Sequence, residues 1–193
     1  MSKVASPSKA VGGGTPAGGV LPRVFSDWFG RRGWELRAHQ RELLEVAGAG
    51  GSGLVIAPTG GGKTLAGFLP SLVELAGDTG RARPSLHTIY ISPLKALAND
   101  VARNLEAPIA EMGLDISMEV RTGDTIASRR QRQRAKPPDI LLTTPEQLAL
   151  FIASENAATF FADLGAVIVD EIHAIAGTKR GDMLALCLAT LKQ

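Results

Sequence analysis

Two clusters of residues carry side chains and spacing suited to phosphate chemistry. The first is Pro58-Thr59-Gly60-Gly61-Gly62-Lys63-Thr64, which follows the apolar run 54–57 and runs into a helical pattern. Glycines let a backbone curl until its N–H groups converge on phosphate oxygens, and a following helix N-terminus adds its positive dipole end. Lys63 is then placed to reach the β- and γ-phosphates of a nucleotide, and the Thr64 hydroxyl to ligand Mg²⁺. The general phosphate-loop pattern opens on a glycine, and this chain has Ala57 there. The second cluster is Asp170-Glu171-Ile172-His173, after the apolar run 166–169. An acid just beyond such a run sits at the carboxyl end of a strand, the end at which open α/β sheets bind ligands. Asp170 is placed to hold Mg²⁺ directly or through water, and Glu171 to polarise an attacking water. His173 is placed to couple this site to a neighbouring segment. Spacing assigns no role to His39 or His87, and no His/Cys cluster suits zinc.

The elements that must position these residues alternate. Apolar runs at 54–57, 88–91, 116–120, 140–142 and 166–169 have strand length and are nearly continuous, as in a parallel sheet covered on both faces. Between them lie helical patterns at 63–76, 94–112, 125–135, 145–153 and 178–191, and 25–47 reads as helical with a break at Gly33. This predicts an α/β fold of βαβ units, mostly parallel, with helices on both faces. Residues 1–23 are rich in Gly and Pro, show no period, and read as a disordered tail without the apolar core of a secretory signal. Residues 24–193 then form one domain.

Composition narrows the classes further. Hydrophobic residues make up 45% of 193, and 21 Lys+Arg against 19 Asp+Glu leave a net charge of +2, an ordinary globular balance that does not by itself argue for nucleic acid. The single cysteine, Cys187, excludes an internal disulfide and fits a reducing compartment, hence a cytoplasmic location. No apolar stretch is long enough to span a bilayer. The run 128–136 holds five basic residues and no acid. On a helix its charges spread around the axis, so it reads as a solvated face ahead of a surface that tracks a nucleic-acid backbone.

From Val24 onward the chain resembles the large helicase-related (Lhr-type) family of superfamily 2 helicases, in particular its bacterial ligase-associated DEXH-box branch. The resemblance rests on FSDWFGRRGWELRAHQ, APTGGGKTLAGFLPSLVEL, LHTIYISPLKALANDVARNLEAPIAEMG, RTGDTIASRRQRQRAKPPDILLTTPEQLAL and DEIHAIAGTKRGDMLAL. DEIH in place of DEAD makes the DEAD-box RNA helicases a poorer fit. The resemblance implies a RecA-like ATP-binding domain, ATP and Mg²⁺ as cofactors, and the catalytic roles of Lys63, Asp170 and Glu171 already derived. It implies that Gln40 reads the adenine edge, with Arg37 either assisting or an ordinary surface arginine, and that Thr59, Gly60, Gly61, Gly62, Lys63 and Thr64 cradle the triphosphate. It also implies nucleic-acid contacts from Ser92, Pro93 and Lys95, from Arg121, Thr122 and Gly123, and from Thr143, Thr144 and Pro145, each set at a strand-to-helix junction.

The activity implied is ATP-dependent, 3′-to-5′ movement on single-stranded DNA, in DNA repair, with a repair ligase or nuclease as partner. Members of the family carry a second RecA-like domain with arginine fingers, which residues 24–193 do not contain. This chain is therefore expected to be a first motor domain, weak in Mg-ATP hydrolysis and inactive in unwinding alone. The competing readings are a non-motor ATP- or DNA-binding module and an RNA helicase.

Overall fold

The computed structural model describes residues 21–58, 60–78 and 85–191. The expected tail falls almost wholly outside them, as does Thr59. Arg23, assigned to that tail, opens the first helix.

Four short strands, β1 (Thr88–Ile91), β2 (Met118–Arg121), β3 (Ile140–Thr143) and β4 (Ala166–Val169), form one parallel sheet in the order β2-β3-β1-β4. Register is direct: Tyr90 lies beside Leu142 and Ile168, and Arg121 beside Thr143. Ile91, Arg121, Thr143 and Val169 are therefore all last residues of aligned strands, and the segments that follow them leave by one edge.

Eight helices surround the sheet among the described residues: α1 (Arg23–Arg31), α2 (Ala38–Gly48), α3 (Lys63–Gly77), α4 (Lys95–Glu111), α5 (Ala127–Ala135), α6 (Pro145–Ile152), α7 (Ala157–Phe160) and α8 (Lys179–Leu191). A short 3₁₀ turn, Ile172–Ala174, sits between β4 and α8. Alternation along the strands splits the core in two. Tyr90, Ile140 and Leu142 pack under α1, α3 and α4, against Phe25, Trp28, Phe68, Leu72 and Leu105. Ile89 and Ile91 pack on the other side against Leu148, Leu184 and Cys187 of α6 and α8, and Leu141 against Phe151 and Phe160. The central strands β1 and β3 are buried on both faces, as continuous apolar runs require, whereas the edge strands β2 and β4 are only partly covered.

The direction of α3 matters for the site. Gly67 packs beside Ile168, where a Cβ would lie 3.4 Å from the isoleucine methyl. Further along the helix, the Glu74 carboxylate is 3.2 Å from His87 Nε2, just before β1 starts. The helix thus runs antiparallel to the strands. Its N-terminus, with Lys63 and Thr64, comes to the edge where the strands end.

The run 54–57, expected as the first strand, forms none. Among the described residues the four strands pair only with one another, and none supplies it with a hydrogen-bonded ladder. Leu54 and Ile56 stand 72% and 88% exposed. Apolar content marks a segment that can be a strand, but only a neighbour of matching register makes it one.

Candidate nucleotide and nucleic-acid site

The glycine loop has the conformation its composition requires. Gly60 and Gly62 take φ of +78° and +76°, and a Cβ on Gly61 would lie 2.7 Å from the Pro58 carbonyl oxygen. No other residue type tolerates this set. The Lys63 ammonium folds back and donates to Ala57 O at 2.8 Å. The loop is also held from α2. Arg37 Nη1 donates to Gly60 O at 3.3 Å and Gln40 Nε2 to Gly62 O at 3.5 Å, while Gln40 Oε1 accepts from its own helix's Arg37 N–H at 3.0 Å. Gln40, expected to present its amide to adenine, is 3% exposed and spends both ends of that amide on the protein. In this arrangement it positions the loop.

Beside this loop opens a cavity of about 600 Å³, lined among others by Trp28, Arg32, Trp34, Gln40, Gly62 and Thr64. Its aromatic wall is fixed by one acid at the end of α4. Glu111 accepts from Trp28 Nε1 at 2.7 Å and from Arg32 Nη2 at 2.5 Å. The Arg32 guanidinium carbon lies 5.1 Å from the ring centroids of both Trp28 and Trp34. Hydrogen bonds from Arg32 and then Trp28 hold the Glu111 carboxyl below the usual glutamate range. A half-exposed tryptophan beside a phosphate cradle suits the stacking of a flat heterocycle. Sequence reasoning did not single out this wall. FSDWFGRRGW carries its aromatics and arginines, but Glu111, which organises them, lies far away along the chain.

The acidic cluster is equally constrained. Tyr90 Oη donates to Asp170 Oδ2 at 2.5 Å, and Asp170 Oδ1 accepts the Glu171 N–H at 2.9 Å. Tyr90 is itself buried and stacked on Phe68 of α3, with centroids 5.2 Å apart. Burial first, and the Asp170 hydrogen bond second, push its hydroxyl pKa far above the usual tyrosine value, so it remains a donor. Glu171 is the one non-glycine among the described residues with positive φ, at 47°. A left-handed glutamate stores about 1–3 kcal/mol of strain, a feature that clusters at functional sites. His173 Nδ1 lies 3.2 Å from Glu171 Oε2 of the same motif, and its ring is otherwise largely exposed.

Do these residues fit Mg²⁺? Among the described residues no three His, Cys, Asp or Glu side chains gather into a protein-only metal cage. Thr64 offers a hydroxyl and Asp170 a carboxylate, the oxygen donor types suited to a magnesium ion that would take its other ligands from phosphate and water. Those donor types fit that ion.

The third region is the strand edge itself. Of the residues expected to touch nucleic acid, Ser92, Pro93, Arg121, Thr122, Thr143, Thr144 and Pro145 are buried; Lys95 and Gly123 are exposed. The reason is geometric, because the first residue or two after a strand lie under the helix that covers it. The buried side chains shape the loops. Thr143 Oγ1 donates to Arg121 O at 2.8 Å, and the Thr122 N–H donates to Thr125 Oγ1 at 3.0 Å. Arg121 is the sharpest departure. It is 2% exposed, its guanidinium stacks 3.7 Å above the Phe151 ring, and its Nε and Nη1 have no protein acceptor. Burial, with Arg134 and Arg130 nearby, pushes its pKa down to about 10, so it stays charged at neutral pH.

What the edge does expose is Leu94, Lys95, Gly123, Asp124, Glu146 and part of Arg180. The ions among them are paired: Lys95 Nζ to Asp124 Oδ1 at 2.8 Å and Arg180 Nε to Glu146 Oε1 at 2.5 Å. Three of the five basic residues of the run 128–136 are engaged with the protein. Arg129 and Arg132 pair with Glu119, and Arg130 donates to the carbonyls of Gly123 and Thr125 at 2.7 Å each.

Comparison with known proteins places this geometry. The sequence profile of the DEAD/DEAH box helicase family matches residues 37–193. The chain is 42% identical over 192 residues to the Lhr helicase/uracil glycosylase of Escherichia coli, covering 89% of this chain and 12% of that protein. It is 42% identical over 184 residues to the ATP-dependent helicase Lhr-Core of Methanothermobacter thermautotrophicus, covering 90% of this chain and 21% of the relative. The structure of the Mycobacterium smegmatis helicase Lhr bound to ssDNA and AMP-PNP superposes with a TM-score of 0.83 at 40% identity, over 91% of this chain and 23% of that one. The DEAD-box helicase Mss116, at 20% identity and a TM-score of 0.76, shares the RecA-like fold. The chain therefore spans a minor part of the length of the relatives it matches.

Proposed function

Because the chain belongs to the DEAD/DEAH box helicase family, we propose that its sheet edge binds Mg-ATP and single-stranded nucleic acid together, as the first RecA-like motor domain, residues 24–193, of an ATP-dependent DNA helicase. One observation carries this reading. Helix α3 runs antiparallel to the strands, which brings the glycine loop, Asp170 and the three loops after β1, β2 and β3 to one edge. A site that changes with nucleotide state is then next to surfaces that can hold a strand.

Lys63, Gly60, Gly61, Gly62 and the segment through Thr59 take the phosphates, with Thr64 and Asp170 holding magnesium. The Trp34 wall takes the base. Glu171 orients the attacking water, with His173 reporting its position to the next segment. Lys95 and backbone groups around Gly123 and Thr144 meet the sugar-phosphate chain without reading sequence. DNA is favoured over RNA because the Lhr relative of known structure was bound to ssDNA. Movement from 3′ to 5′, a role in DNA repair with ligase or nuclease partners, and a cytoplasmic location extend this reading by resemblance. Among the described residues no helix is long and apolar enough to cross a membrane.

The test is a titration of this chain with a fluorescent ATP analogue, with and without Mg²⁺, and with a labelled oligo(dT). Binding of both, with nucleotide affinity lowered at least tenfold by Lys63→Ala, is expected. Absence of nucleotide binding would overturn the reading. Strand displacement on matched DNA and RNA duplexes by the complete protein separates the two helicase readings. Glu171→Gln should spare nucleotide binding there and abolish turnover.

A further inference from the structure

Arg180 lies in the segment that follows Asp170-Glu171-Ile172-His173 and has been given no role above, yet it touches two of the strand-edge loops. It is the second residue of α8. Its Nε donates to Glu146 Oε1 at 2.5 Å, at the start of α6, and its Nη2 donates to Pro93 O at 2.9 Å, in the loop after β1. Pro93, Lys95, Gly123, Thr144, Glu146 and Arg180 together line a shallow hollow of about 420 Å³ on the strand edge. Burial opposes ionisation of Glu146, and the Arg180 hydrogen bond, with backbone and Thr144 donors, outweighs it and keeps its pKa below the usual range.

The other side of Arg180 leads back to the acidic cluster. From Glu171 the chain makes the 3₁₀ turn and then a tight hydrogen-bonded turn into α8. Thr178 Oγ1 donates to Ile175 O at 2.7 Å and accepts the Gly181 N–H at 3.2 Å. Any Cβ at Gly181 would collide with the Ile175 carbonyl oxygen. Ile175 and Leu184 are anchored in the core on either side. A stiff connection of few residues therefore ends in a guanidinium that grips two strand-edge loops at once.

We infer that Arg180 is a positioning residue that holds the 92–95 loop and the start of α6 in the geometry that binds a nucleic-acid strand, and that ties this geometry to the 170–174 segment. The inference rests on the nucleic-acid reading of this edge. Two donors in a rigid planar fork are what the role requires, since one must point at a carboxylate and the other at a backbone carbonyl. A lysine keeps the charge and loses the fork.

The consequence runs against plain electrostatics. Glu146 is an acid beside a strand of phosphates, so a simple charge count says that Glu146→Gln tightens binding. As half of the clamp, Glu146→Gln should instead weaken it. The experiment uses the full chain, its Arg180→Lys variant and its Glu146→Gln variant. Oligo(dT) affinity is measured across a salt series, and amide hydrogen exchange is followed without nucleic acid. Expected are a fivefold or greater loss of affinity in both variants, an unchanged salt slope for Arg180→Lys, and exchange at least tenfold faster at residues 94–97. Exchange in β3 should not change, which excludes general unfolding. Wild-type affinity with Arg180→Lys, tighter binding with Glu146→Gln, or unchanged exchange at 94–97 would each overturn the inference. If the wild-type chain binds no oligonucleotide, the nucleic-acid reading fails, and the exchange data still decide whether the clamp positions the loop.

Discussion

At the scale of single residues the site is built from groups whose bonds leave them little freedom. Tyr90 is the clearest case. Among the described residues its hydroxyl is the one side-chain donor to Asp170, and Phe68 fixes its ring. Tyr90→Phe should cost roughly 1.5–3 kcal/mol of stability, the net worth of a hydrogen bond to a charged group. It should also weaken Mg-dependent nucleotide affinity severalfold while leaving Mg-free affinity unchanged, because the carboxylate loses its fixed orientation. Thermal melts and paired titrations check both arms. Gly61→Ala tests the loop. Its Cβ would sit 2.7 Å from Pro58 O, a backbone atom that can move only with the loop. Nucleotide affinity should fall about tenfold or more, with the melting temperature within a few degrees of wild type.

These two residues also show what a sequence discloses. The glycines were legible because their chemistry is local: spacing, loop and helix start lie within a few residues. Tyr90 was read only as part of an apolar strand. Its partner Asp170 follows Val169, and only the β1–β4 register brings the two together. Arg121 misled for the same reason. A cation at a strand end reads as a surface contact until α6 lays Phe151 across it.

At the scale of elements, arginines reach from helices to the loops at the strand edge and fix them through carbonyl oxygens. Arg130 of α5 takes Gly123 O and Thr125 O. Arg130→Gln should lose about 1 kcal/mol and accelerate hydrogen exchange at 123–125. Arg134→Gln, at an exposed position on the same helix, should stay within about 0.5 kcal/mol of wild type. Equal effects would mean that α5 acts through total charge alone. The helix pattern predicted α5 within two residues of its observed start, and β1 and β4 were bounded as observed, because periodicity and apolar runs are local signals. The run 54–57 has the same composition and forms no strand. Pairing is a property of two segments, and one segment's sequence cannot supply the other. The purpose of the basic run was likewise hidden, since Glu119, which takes Arg129, Arg132 and Gln133, lies on β2.

At the scale of the whole molecule, three glutamates join elements that the chain connects only distantly. Glu111 ties α4 to α1, Glu119 ties β2 to α5, and Glu146 ties α6 to α8. All three have pKa values below the usual glutamate value. For Glu111 the cause is Arg32 and then Trp28. For Glu119 and Glu146 burial works the other way and is outweighed, by Gln133, Arg129 and Arg132 in one case and Arg180 in the other. The sign follows from linkage. A carboxyl with a depressed folded pKa stabilises the fold fully above its unfolded pKa, about 4.3, and loses that contribution as pH falls through the folded value. Melting temperature should therefore be level from pH 7 to about pH 5 and decline below about pH 4. Glu119→Gln should lower the plateau and make the decline shallower, because its share no longer titrates. All three carboxylates keep some contact with solvent, so high salt should reduce the plateau only slightly. If the acid slope of Glu119→Gln matched wild type, the depression of Glu119 would not be linked to folding, and its arginine partners would be surface company only.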